Sequence, residues 1–141
     1  MRSVIQILPV ALLWLTSPIP DFVCLNGHPA VDAEYRLRTV FIGTVVSERY
    51  EPPTKDWDQE GTTYAVRVDE RMRGQLPRTV QLFSENSSGR FPMEIGTKYL
   101  LFAYRDRGRT MVDNCGNSEV HGVSSPKLRD VRRLKAAEKQ N

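Results

Sequence analysis

Short runs of apolar residues punctuate the middle of the chain, separated by turn-forming residues. "TYAVRVD" (63–69) alternates strictly, with Tyr64, Val66 and Val68 on one side and Ala65, Arg67 and Asp69 on the other, which is the period-two pattern of a half-buried strand. "VFIGTVV" (40–46) and "YLLFAY" (99–104) are apolar on both faces, and Gly43 falls where a bulge or sharp coil is expected. "TVQLF" (79–83) follows the turn "RGQLPR", and "RTMVD" (109–113) makes a hairpin with "YLLFAY" through "RDRG". "HPAVDAEYRLRT" predicts one short helix ahead of the first strand. Five short strands with marked turns predict a mainly β fold, a small closed barrel without exposed edges.

The pattern changes twice outside this body. After "GVSSP", the segment "KLRDVRRLKAAEKQ" reads as a helix with Ser125 at the N-cap and Pro126 at its first position. Leu128, Val131, Leu134 and Ala137 recur every three residues, so the stripe drifts about 60° per step around a 3.6-residue helix. A basic helix docked lightly on the barrel is expected. At the other end, "MRSVIQILPVALLWLTSPIPDFVC" has a basic start, an apolar run from Val4 to Leu15 and a Pro/Ser break. That run is short for a membrane span and suits a signal peptide, assigned to residues 1–20. The chain is therefore read as secreted or periplasmic.

Composition adds modest constraints. The 141 residues are 40% hydrophobic and 26% charged, close to globular averages, and fit a single domain. The net charge of +3 is concentrated in residues 126–141, where Lys127, Arg129, Arg132, Arg133, Lys135 and Lys139 face only Asp130 and Glu138. The body is near neutral, which gives no reason to expect nucleic acid, while the tail offers contact with an anionic membrane surface.

Candidate chemistry is sparse. Export makes the two cysteines, Cys24 and Cys115, candidates for a disulfide. The rivals are zinc held with His28 and His121, or a cysteine nucleophile with His121 as base. Asp56, Asp58 and Glu60 cluster on one loop without the spacing of an EF-hand. Asn86 opens an "NSS" sequon, relevant to a eukaryotic secretory route. There is no paired His/Asp/Ser set and no phosphate loop, so neither an enzyme nor a cofactor is expected. Residues 50–62 form a long connection between the first two strands, with Trp57 at its tip among Lys55, Asp56 and Asp58. Trp57 suits either an interface anchor or a cap over an open barrel end.

A helix followed by "VFIGTVV", "YAVRVDERMRG", "TVQLFSENSSG" and "GTKYLLFAYRDRGRTMVDNCG" resembles the netrin-like domain of tissue inhibitors of metalloproteinases, particularly their small exported bacterial relatives. The resemblance covers roughly residues 22–120. It implies a five-stranded OB-type barrel with flanking helices, and inhibition through an N-terminal Cys-x-Cys whose first residue chelates the protease zinc. It further implies that Cys115, ending the hairpin, pairs with Cys24. That alignment sets Phe22 at the chelating position and Ser88 where the first cysteine's partner would stand, so one disulfide of the family is missing in both halves. The binding surface implied comprises Phe22, Val23, Cys24, Leu25, Trp57, Ser87 and Ser88. The expected protein is a monomeric binding module for another exported protein, a metalloprotease included. Two other readings are a structural envelope protein held by the basic tail 125–141, and a carbohydrate- or oligonucleotide-binding OB domain. The last would need exposed aromatics among Tyr64, Phe83, Phe102 and Tyr104.

Overall fold

A computed structural model describes Cys24 and residues 26–141. The signal-peptide assignment and the positions Phe22, Val23 and Leu25 lie outside the described residues. A short helix α1 (Val31–Leu37) leads into strands β1 (Thr39–Glu51), β2 (Gly61–Arg73), β3 (Thr79–Glu85), β4 (Lys98–Asp106), β5 (Arg109–Met111) and β6 (Glu119–Val120), followed by helix α2 (Pro126–Glu138). The fold is mainly β, a six-stranded mixed sheet with two helices.

β1 is antiparallel to β2 over most of its length and to β4 over Thr39–Thr44. β2 pairs antiparallel with β3, and β3 meets β5 in parallel at Phe83 and Met111. β5 returns to β4 as a hairpin, so the pairings link five strands in a ring. β6 adds two residues on β4, opposite Tyr99 and Leu100. This sixth strand was not expected, since two residues are too few to show any periodicity.

The runs that are apolar on both faces have a direct explanation. Phe41 and Val45 of β1, with Leu101 and Tyr99 of β4, face an inner core shared with Val66, Leu82 and Val112. Val40 and Ile42, with Leu100 and Phe102, face outward against Tyr35 of α1 and against Leu128 and Val131 of α2. β1 and β4 are thus the middle layer between sheet interior and helices. β1 turns between its two partners at Gly43, where the register shifts. A side chain there would fall 2.5 Å from Val66 Cγ1 and 2.9 Å from the Arg67 carbonyl, so a bare backbone is required.

Two expectations need correction. Strands β1 and β2 continue to Glu51 and back from Gly61, so the connection is residues 52–60 instead of 50–62. Helix α2 is more than lightly docked, because Leu128 and Val131 are fully enclosed at 2% and 0% exposure. The expected drift is visible beyond them, with Leu134 half-buried and Ala137 exposed. Ser125 caps the helix by accepting from the Leu128 amide, with Pro126 in the first turn. Among the described residues no helix is long and apolar enough to cross a membrane.

Candidate functional site

The chain leaving β5 turns sharply at Asp113, whose Oδ1 accepts from the amides of Cys115 at 2.9 Å and Gly116 at 3.0 Å. This side-chain turn aims Cys115 at Cys24. The two sulfurs are bonded at 2.03 Å across 91 positions. Both thiols are therefore consumed, which removes the zinc and nucleophile readings, and no cluster of three or more His, Cys, Asp or Glu suited to a metal occurs among the described residues. His28 instead sets Nδ1 3.3 Å from the Gly116 carbonyl.

Beneath the disulfide lies a residue that the sequence reading missed. Glu34, on α1 and 5% exposed, accepts from both the backbone amide and the side-chain amide of Asn117, each at 2.7 Å. Asn117 also donates to the Pro29 carbonyl at 2.9 Å. Gly116 lies so close to Glu34 that a Cβ would stand 2.5 Å from Oε1. A buried carboxylate thus ties the helix to the cysteine loop from below while the disulfide ties the leader from above. The only signal in the sequence was Glu34 four residues before Arg38, a spacing that elsewhere marks a solvated ion pair.

The loop after β3 joins the same corner. Ser87 Oγ accepts from the Gly89 amide at 3.2 Å, Asn114 donates its backbone amide to the Gly89 carbonyl at 3.0 Å, and Asn114 Nδ2 reaches the Ser88 carbonyl at 3.1 Å. Cys24, Cys115, Ser87 and Ser88 are therefore brought together. Asn86 is exposed, its side-chain amide donating to Glu60 at 2.5 Å. Tyr50 binds the same carboxylate at 2.6 Å, and these two contacts, Tyr50's foremost, hold Glu60 below the usual carboxylate range.

Trp57 takes a different place. Its indole is 2% exposed and meets the Phe83 ring edge-on at 5.5 Å, with Met111 in the same cluster. Arg107 covers the ring from outside at 3.7 Å. Of its two sequence-level roles, the burial supports the cap. Its Nε1 donates to nothing among the described residues. Of the four strand aromatics, Tyr64, Phe83 and Phe102 are buried and Tyr104 half-buried, which leaves no exposed stacking platform among them. Burial first, and the neighbouring Asp113 carboxylate second, hold the Tyr104 phenol well above its ordinary range.

The tail's charge is largely engaged. Lys127 pairs with Glu119 at 3.7 Å, Arg132 and Lys135 with Glu70 at 3.7 and 3.5 Å, and Arg133 with Asp130 at 3.6 Å. A second charged feature is an open groove of about 1090 Å³, whose walls carry Arg36, Arg38, Arg49, Arg73, Arg105 and Arg109. Among the described residues its one carboxylate is Glu51, which Arg49, by hydrogen bonding at 2.8 Å, holds below the usual range. No protein-family model matches the chain, and no curated protein is significantly similar to it.

Proposed function

We propose that the chain is an exported netrin-like module, an OB-type barrel related in design to tissue inhibitors of metalloproteinases, that binds another exported protein as a monomer. The observation that carries this reading is the corner where the Cys24–Cys115 bond meets Ser88 through Asn114. In the resembled family the leader is stapled to the last hairpin beside this loop, so the juxtaposition supports the alignment of Phe22 with the chelating residue. The return of the strand pairings to β1 supports the barrel. The disulfide supports folding in an oxidising compartment.

Phe22 lacks the cysteine side chain that packs over a protease zinc, and Ser88 cannot form the second family disulfide. Tight active-site inhibition is therefore not expected. The test uses the oxidised exported chain. Alkylation without reductant should label neither cysteine, capture from the exported fraction should recover a protein partner, and inhibition of matrix-type metalloproteases should be weaker than micromolar. Two labelled thiols, or no partner captured, would defeat the reading. Nanomolar inhibition lost on acetylating the N-terminal amine would instead show chelation by the leader.

A further inference from the structure

The arginine groove has a feature that charge alone does not supply. β3 is bonded along one side by β2, with the Val68 amide donating to the Arg78 carbonyl at 2.8 Å. Alternation along an antiparallel pair then turns the amides and carbonyls of Val80 and Leu82 towards β2, and those of Thr79, Gln81 and Phe83 away from it. Phe83 uses its outward carbonyl, which accepts from Val112 at 3.1 Å, and it is the one β3 residue paired with β5. Thr79 and Gln81 have no ladder partner on that side among the described residues, and both line the groove. Arg36, Arg38 and Arg73 stand at the helix end of the groove, and Arg49, Arg105 and Arg109 at the hairpin end.

We propose that this groove binds an extended acidic peptide segment of a partner, which adds as a strand to the free edge of β3 at Thr79–Gln81 and places its carboxylates against the flanking arginines. Strand addition takes affinity from main-chain hydrogen bonds and specificity from alternate side chains. A guanidinium grips a carboxylate with two parallel bonds. Arg36, Arg49 and Arg105 are the exposed members. Among the described residues, Arg105 contacts only the neutral Thr110 hydroxyl, at 3.1 Å, and Arg36 only Asp32, in a long pair at 3.9 Å. Both are thus available to an incoming carboxylate. Leu37, 83% exposed beside Arg36 and Arg38, gives the segment an apolar contact. An acidic strand fits where a base-stacking ligand does not, since Phe83 and Tyr104 in the groove wall are covered by Arg109 and Arg38 at 4.2 and 4.3 Å. The inference rests on the protein-binding reading but uses a surface separate from the disulfide corner.

The experiment is fluorescence anisotropy on the oxidised chain with a labelled octapeptide of alternating glutamate and threonine. Its controls are the glutamine counterpart and an acidic peptide N-methylated at alternate amides. The acidic peptide should bind saturably, with both controls at least tenfold weaker. Arg36→Gln together with Arg105→Gln should weaken binding at least tenfold while leaving the melting temperature within a few degrees. Gln81→Pro removes the outward amide without breaking a bond to β2 and should have the same effect. Equal binding of the glutamine or N-methylated peptide overturns the proposal, as does a sulfated glycan or oligonucleotide of equal charge binding better than the peptide. Capture of an exported partner unaffected by excess acidic peptide would overturn the groove and leave the binding-module reading standing. Peptide binding without any captured partner would do the reverse.

Discussion

At the scale of single residues, Trp57 and Glu34 show how burial decides a role that residue type leaves open. Trp57 is enclosed against Phe83 and Met111, yet its indole N–H has no acceptor among the described residues. Trp57→Ala is expected to cost about 3–5 kcal/mol as a core cavity. Trp57→Phe should stay within about 1 kcal/mol, because the smaller ring leaves a small void but removes an unpartnered buried donor. Urea denaturation of the two variants checks this. An alanine variant as stable as the parent would return Trp57 to a surface role. The cysteine pairing was legible because only two thiols exist. Glu34 was not, since a lone glutamate on a short helix carries no mark of the loop that folds over it 83 positions later.

At the scale of elements, the sequence was most informative where periodicity met a covering layer. β1 and β4 are apolar on both faces because the inner core takes one side and the helices the other. β2 alternates because Tyr64, Val66 and Val68 face the inner core, while on its other face Ala65 is half-buried and Arg67 is exposed. The strand end Ser47–Glu51 leaves no mark in the sequence, being a polar stretch exposed along most of its length yet fully paired to β2; backbone pairing there needs no hydrophobic signature. The capping residues of α2 were legible, whereas its docking was not, because only Leu128 and Val131 are fully buried, with Leu134 packed at the edge of the core as the stripe rotates away. Leu128→Ala should therefore destabilise by about 2–5 kcal/mol. A lightly docked helix would lose far less, and chemical denaturation distinguishes the two.

At the scale of the whole molecule, burial and hydrogen bonding of ionisable groups shape the pH range of the fold. Burial pushes the Tyr35 phenol up to about 12, helped by its hydrogen bond to Glu138. The neutral phenol is the native form, so this contribution is complete below pH 10.0 and is lost between there and about 12. Glu51 is held low by Arg49 and Thr63, so its contribution is present above pH 4.5 and fades as pH falls below it. The denaturation midpoint should be flat between these limits and fall on both sides, with Tyr35→Phe making the alkaline limb shallower and the raised Tyr104 phenol keeping part of it. An unchanged alkaline limb in that variant would assign the loss to other groups. The bond from Tyr35 to Glu138, 3.0 Å long and 103 positions apart, also bears on how the chain is made. At about 5–20 residues per second, a growing chain waits about 5–20 s between delivering one partner and the other. Until α2 is made, the outward apolar face of β1, Val40 and Ile42, has Tyr35 of α1 against it but lacks Leu128 and Val131 of α2. Nascent β1 is thus the segment a holding chaperone would be expected to shield during synthesis.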